Sequence, residues 1–217
     1  MGASSHLVGI RDIASAHLVL MGAGGHGRVA ADIARAMGWG RISFLDAGWP
    51  GRQNNGPWPI VGDFSSALAL RADGAHLFCA IGNNAGRERV TGEFDLWDAP
   101  ALIHPSAIVS PDAVIGAGCF IAPGAIVNVL ARIGTGVIVN TAASVDHDCT
   151  IGDFAHISPG ARLAGTVAVG ARSWVGIGAA VREGVSIGRD VMIGAGAAVI
   201  RDVPAGQRLG GVPAREI

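Results

Sequence analysis

The stretch Ala131-Arg132-Ile133-Gly134-Thr135-Gly136-Val137-Ile138-Val139 carries the period that decides the fold. Stepping back by six from Ile133 meets Val127, Ile121, Ile115, Val109 and Ile103. Stepping forward meets Val139, Val145, Ile151, Ile157, Leu163, Val169, Val175, Val181, Ile187, Ile193 and Val199, so all seventeen positions are Ile, Val or Leu. Two residues before them recur slim side chains, among them Ala107, Ala113, Cys119, Ala125, Ala131, Ala143, Cys149, Ala155 and Ala161. A helix repeats every ~3.6 residues and a strand every ~2, so neither accounts for six. Glycine follows the aliphatic residue at Gly116, Gly134, Gly152, Gly170 and Gly188, each eighteen after the last. Three hexapeptides therefore make one turn of a parallel β-helix of triangular section, whose five to six stacked coils bury columns of aliphatic side chains. The same recurrence predicts that these glycines are corner residues with positive φ.

The composition of the 217-residue chain agrees with such a core. Half the residues are hydrophobic but only 5% are aromatic, Tyr is absent, and Gly reaches 34. Charged residues supply 15%, where about 25% is usual. This excludes disorder, which needs low hydrophobicity and high charge. A formal net charge of −1 gives no electrostatic footprint for nucleic acid or an anionic membrane. All sixteen basic residues are Arg, so no lysine can act in catalysis. Cys79, Cys119 and Cys149 are widely spaced with no CxxC, which argues against a disulfide framework or a cysteine zinc site and fits a reduced, cytoplasmic setting. No apolar run approaches the roughly 20 residues of a membrane span. Met1 to Ser5 lack the features of a signal peptide.

Residues 1–98 read differently. His17–Met21 is an apolar run stopped by Gly22, and Gly25–Met37 carries apolar residues on one helical face. Ile42–Asp46 reads as a second strand, Gly48–Pro59 as a loop, Phe64–Arg71 as a short helix, and Leu77–Ile81 as a strand followed by a helix to about Trp97. This βαβ alternation predicts a small parallel sheet. Gly22, Gly24 and Gly27 satisfy G-x-G-x-x-G between strand and helix, a geometry that lets backbone amides hold phosphate, and Asp46 ends the next strand where an acidic residue could meet a ribose. At about 98 residues the domain is short for a full dinucleotide-binding fold, and half of one fits better.

Among seven histidines, His147 falls two residues after Val145, which places it on a coil corner facing outward, in the run Val145-Asp146-His147-Asp148-Cys149. An imidazole there has a pKa suited to general-base work near neutral pH. Cys119 and Cys149 fall on the slim repeat position that faces the core, which disfavours a cysteine nucleophile. Zinc would have to draw on His104, His147 and His156, which lack the close spacing of paired ligands.

The repeat resembles the left-handed β-helix of the acyltransferase superfamily. Joined to a small α/β domain, the chain resembles the sugar acetyltransferases that modify nucleotide-linked amino sugars or sialic acid polymers. The motifs that carry the likeness are Met21-Gly22-Ala23-Gly24-Gly25-His26-Gly27, Phe44-Leu45-Asp46, Ala80-Ile81-Gly82-Asn83-Asn84, Asn140 to Cys149, and Gly211-Val212-Pro213-Ala214. The resemblance implies a Rossmann-like nucleotide-sugar-binding domain over 1–98 and a left-handed β-helix with a short tail over 99–217. It implies acetyl-CoA as cosubstrate, no metal, and transfer to the 4-amino group of a nucleotide-linked 4-amino-4,6-dideoxy sugar such as GDP-perosamine or a UDP-4-amino sugar, as in lipopolysaccharide O-antigen synthesis. An O-acetyltransferase of sialic acid or a related polysaccharide, and a scaffold or nucleotide-sugar sensor without activity, are the alternatives.

By the same resemblance His147 is the base. Asp148 orients it in place of the more usual Glu, and Asp146 is the alternative. His156 meets acetyl-CoA at its thioester, and Gly165, Ile177 and Ala195 line the pantetheine channel, with Gly176, Gly178 and Gly194 leaving room. Gly24, Gly25, His26 and Asp46 contact the nucleotide-linked sugar, Gly82 and Asn83 close the pocket, and Asn140 holds the sugar or a partner's loop. A cyclic homotrimer is implied.

Overall fold

The computed structural model of the protein describes residues 13–217; Met1 to Ser5, read above for a signal peptide, lie outside them. The first part is a five-stranded sheet in the order β3-β4-β2-β1-β5, built from β1 (His17–Met21), β2 (Arg41–Leu45), β3 (Asn54–Asn55), β4 (Trp58–Gly62) and β5 (His76–Cys79). All its pairings are parallel except β3 with β4. Helices α1 (Gly25–Met37), α2 (Ala67–Ala72) and α3 (Asn84–Glu93) connect the strands. The expected loop over Gly48–Pro59 is in part a hairpin: Asn54–Asn55 pairs with Trp58–Pro59, and Trp58–Gly62 joins the sheet beside β2. Its prolines and glycines mask an alternating burial pattern in Trp58, Ile60 and Gly62, a signal of strand that turn residues outweighed in the sequence.

From Leu102 the chain winds through the seventeen predicted two-residue strands. They fall into three parallel faces. The first runs through Leu102–Ile103, Phe120–Ile121, Ile138–Val139, His156–Ile157, Trp174–Val175 and Met192–Ile193; the second begins at Ile108–Val109 and the third at Val114–Ile115. Residues pair in register eighteen apart, as in Ile138 with His156 and Val127 with Val145. Main-chain bonds such as Ile138 N–H to the Ala155 carbonyl (3.0 Å) and Asn140 N–H to the Ile157 carbonyl (2.8 Å) repeat up the stack. The aliphatic and slim positions, Cys119 and Cys149 included, fill the interior. The last coil is closed by Arg208–Gly210, which pairs parallel with Met192–Ile193, and by Arg215–Glu216, which turns back antiparallel on it.

Glycines at the eighteen-residue recurrence do not supply positive φ. That conformation falls two residues later, at Gly118, Gly136, Phe154, Arg172 and Asp190, and at the equivalent places on the other corners, including Gly160, Gly178, Ala142, Asp148 and Thr166. The recurrent glycines are required by close approach instead. A Cβ on Gly116 would lie 2.6 Å from the Gly134 backbone, and one on Gly152 2.6 Å from the Ala171 nitrogen. One corner of every coil thus stacks main chain directly on main chain.

The outward positions of the first face that the α/β part covers are all apolar. Leu102, Phe120 and Ile138 are buried with Ala30, Ala34, Phe44 and Phe78 in one cluster, so the two parts share a core. Above this contact the same column continues as His156 and Trp174. No helix among the described residues is long and apolar enough to cross a membrane.

Gly152→Ala is expected to destabilise the protein by about 1–3 kcal/mol through overpacking of backbone, read as a lowered midpoint in thermal or denaturant unfolding. Ala at Gly178, where a Cβ would meet nothing within 4 Å but φ is +64°, tests the separate cost of the left-handed corner.

Candidate active site

His147 stands on the corner between the second and third faces with about half of its side chain exposed. Its Nδ1 lies 2.8 Å from Asp148 Oδ2. Asp148 occupies the left-handed corner position (φ 58°), a conformation Asp accepts more readily than most residues, and the turn swings its carboxylate beside the ring. Asp146 is otherwise engaged: its Oδ1 accepts from the His147 backbone N–H at 2.7 Å and from Asn128 Nδ2 at 2.9 Å. The hydrogen bond to Asp148 raises the His147 pKa above its ordinary value, against partial desolvation. With Nδ1–H directed at the carboxylate, Nε2 keeps its lone pair for a proton acceptor's work.

Gly165 is eighteen residues on and lies directly under this imidazole; a Cβ there would run into the ring, 2.5 Å from Cε1. Gly165 is buried. It therefore makes room for His147, while Ile177 and Ala195 are exposed on a different edge, between the first and second faces. Around that edge, Cβ atoms on Gly160, Gly178 and Gly196 would meet nothing, so it is open to an extended ligand. Gly176 is different: its Cβ would press on the next coil, 2.5 Å from the Ile193 carbonyl oxygen, so coil stacking requires it.

His156 adjoins the open edge from the first face and is 5% exposed. Its ring packs on Trp174 with centroids 4.0 Å apart. Asn140 Oδ1 accepts from the Thr141 backbone N–H at 2.8 Å, which turns the Asn140 amide nitrogen to His156 Nε2 at 3.0 Å. A donor facing Nε2 leaves the proton on Nδ1. Nδ1 is buried and has no partner among the described residues. Burial first, then the charge of Arg87 and the proximity of His26, hold the His156 pKa at about 3, so the ring is neutral at all working pH. An N–H so placed is a donor waiting for an acceptor. Asn140, expected to hold sugar or a partner's loop, uses one of its two amide N–H groups for this orientation.

In the α/β part, Gly24 and Gly25 are exposed at the start of α1, and a Cβ on either would meet nothing within 4 Å. Asp46 closes the turn, accepting from Ala23 N–H at 2.7 Å and Gly48 N–H at 3.0 Å. His26 packs on Phe120 of the β-helix (centroids 4.5 Å), its Nε2 is buried without a partner among the described residues, and burial together with Arg87 lowers its pKa to about 4. Asn83 caps α3 by accepting from Gly86 N–H at 2.8 Å, so its side chain is largely committed to the helix. Of these residues His26 meets the first face, against Phe120 and beside His156, while His147 occupies another edge of the same chain. His104 bonds to Ser106 Oγ at 2.8 Å, and among the described residues no three His, Cys, Asp or Glu side chains gather as a metal site. Burial pushes the Cys119 thiol up to about 12 and raises that of Cys149.

Three residues escaped the sequence reading. Trp174 supports His156, Asn128 occupies Asp146, and Arg87 lies fully buried between the two parts of the chain. Arg87 shares a helical face with Asn84 and Val90, so a charged residue in an otherwise inward spacing was the available signal.

Residues 17–94 match the model of the PglD N-terminal domain. Over 110 residues, 48% of this chain and 50% of the other, the sequence is 38% identical to UDP-N-acetylbacillosamine N-acetyltransferase of Bacillus subtilis, so that match spans about half of the curated relative. The acetyltransferase domain of PglB from Neisseria gonorrhoeae, solved alone and with acetyl coenzyme A, is 39% identical; the solved pair with acetyl coenzyme A covers 93% of this chain and 98% of that one with a TM-score of 0.87. Perosamine N-acetyltransferase from Caulobacter crescentus, solved as a His-to-Asn variant with CoA and GDP-perosamine, is 38% identical over 95% of this chain and 99% of that one, with a TM-score of 0.89.

Replacing Asp148 with Asn removes the charged acceptor of the His147 N–H. The His147 pKa is expected to fall toward the ordinary value of about 6.5, and an NMR titration of the imidazole resonances measures it; an unchanged midpoint would mean that the carboxylate does not govern this ring.

Proposed function

Because this chain belongs to the same family as the acetyltransferase domain of PglB and perosamine N-acetyltransferase, we propose that it transfers an acetyl group from acetyl-CoA to the 4-amino group of a nucleotide-linked 4-amino-4,6-dideoxy sugar. The observation that carries this reading is the exposed His147–Asp148 pair seated on Gly165. The nucleotide diphosphate binds at the Gly24–Gly25 turn, where open space and the first amides of α1 receive phosphate. The pantetheine arm lies along the open edge at Gly160, Ile177, Gly178 and Ala195, and the buried Nδ1–H of His156 donates to the thioester carbonyl.

The chemistry follows from these groups. The sugar amine attacks the thioester carbon, and its proton passes to His147 Nε2 while Asp148 stabilises the imidazolium formed. His156 N–H meets the charge that develops on the carbonyl oxygen. The C–S bond then breaks, CoA leaves as thiolate, and the amide remains. Since His147 must enter neutral and its pKa is raised, kcat/KM should climb through a midpoint above the ordinary histidine value as pH increases. His156, neutral throughout, adds no limb in that range.

His147 and His156 stand on different edges of one prism, so the working site joins His147 of one copy to His156 and the sugar pocket of a neighbour. A closed ring of three copies satisfies this for every site. GDP-perosamine heads the substrate panel because the relative solved with it matches nearly the whole chain.

His147→Ala should lower kcat by about 10²–10⁴-fold while leaving acetyl-CoA affinity within a few-fold, measured by thiol release and calorimetry on GDP-, UDP- and dTDP-linked amino sugars. Turnover equal to that of the unaltered protein would sink the base assignment. A hydroxyl sugar acetylated in preference to every amine would point to O-acetylation. Light scattering should return about three times the 21.9 kDa chain mass, and a single-chain mass at assay concentration would refute the shared site.

A further inference from the structure

The sugar pocket belongs to the α/β part and the acyl site to the β-helix, so something must fix one against the other. Arg87, on α3, is 1% exposed. Its guanidinium has five N–H groups, and each finds an oxygen. Nε–H donates to the Gly136 carbonyl at 2.6 Å. Nη1 donates to the carbonyls of Ile81 and Gly82, both at 3.0 Å. Nη2 donates to Asn84 Oδ1 at 2.9 Å and to the Phe154 carbonyl at 2.8 Å, with the Ala155 carbonyl at 3.4 Å. These partners belong to both parts of the molecule: Ile81–Gly82 is the loop beside the sugar pocket, and Phe154–Ala155 leads directly into His156.

Every one of these partners is neutral. Desolvation lowers the Arg87 pKa to about 10, so it stays charged at neutral pH and is solvated by carbonyl dipoles alone. For cohesion, an apolar side chain of similar volume would serve without that cost. What an apolar side chain cannot do is hold two loops at fixed directions and distances. The groups facing His156 are Arg87 from α3, His26 from α1, and Asn140 and Trp174 from the β-helix; of these only Arg87 carries a charge.

Resting on the function proposed above, we propose that Arg87 is a positioning residue for acyl transfer: through one guanidinium it sets the sugar-side loop Ile81–Gly82 against the strand that presents His156. Each substrate alone touches mainly one part of the molecule, whereas the reaction requires both in register. Losing the clasp therefore affects the step that uses both sites more than binding at either.

The test compares Arg87→Met and Arg87→Lys with the unaltered protein. For Arg87→Met, kcat should fall about 10- to 100-fold, the effect of misplacing reactants by about 1 Å. The dissociation constants of acetyl-CoA and of the nucleotide sugar, each measured alone and corrected for folded fraction, should stay within about threefold, well short of that kcat loss. Lys keeps the charge with three donors and should fall between. Values of kcat within twofold of the unaltered protein in both variants, or kcat and both affinities lost in parallel, overturn the proposal.

Hydrogen exchange supplies a readout independent of turnover and usable if Arg87→Met does not fold, since Arg87→Lys can be measured instead. Protection should drop in residues 80–84 and 154–157 together, with the remaining coils unchanged. If the unaltered protein acetylates no sugar and this paired loss still appears, the functional reading fails and the clasp stands. If exchange is unchanged, or rises along the whole chain, the clasp is wrong whatever the substrate.

Discussion

Each coil of this protein lies within main-chain hydrogen-bonding distance of the next, and that approach governs what nearly every side chain can be. At one corner the coils come so close that a Cβ would meet the neighbouring backbone, which is why glycine recurs there every eighteen residues. Two residues on, the chain turns through the left-handed region, and here the requirement is weaker, met by Gly, Asp, Thr, Arg, Ala and even Phe. Inside, a narrow triangular section admits only aliphatic and slim side chains. Polar chemistry is thereby confined to corners and outward faces, and a stack with no other loops gives a histidine at a corner a fixed place.

The site uses that rigidity in two ways. His147 is held between Asp148, which the left-handed corner delivers to the ring, and Gly165, whose missing side chain makes room for it. His156 is buried against Trp174 and fixed in one tautomer by Asn140, which is itself fixed by the backbone of Thr141. One imidazole is exposed with a raised pKa and the other is buried with a lowered one. Environments that drive two like groups apart give each a distinct task, one able to take a proton and one able only to donate a hydrogen bond.

Much of this was legible from residue types alone. The six- and eighteen-residue periods carried the seventeen two-residue strands from Leu102–Ile103 to Ala198–Val199, because the period records stacking that repeats without interruption; the closing strands Arg208–Gly210 and Arg215–Glu216 fall outside it. The α/β part was read well where strands are apolar runs and less well at Gly48–Pro59, where turn residues interrupt a short hairpin that only its neighbour β2 makes worthwhile. Among site residues, His147 could be grouped with its two flanking carboxylates, Asp146 and Asp148, because they are adjacent. Gly165 stands one eighteen-residue turn after His147, so the period already stacked the two, but only the structure showed that a side chain there would strike the ring; the cap that Asn83 makes to Gly86 likewise needed the helix start to be seen.

What the sequence by itself determined is the β-helix, the α/β character of the first hundred residues and the outward placing of His147, since each follows from a local period or from neighbours along the chain. Only the tertiary structure decided the tautomer of His156, the choice of Asp148 over Asp146, the separation of the two histidines onto different edges, and the burial of Arg87 between the two parts. Each of these depends on groups far apart in sequence, where direction and distance, set by packing, decide which donor meets which acceptor.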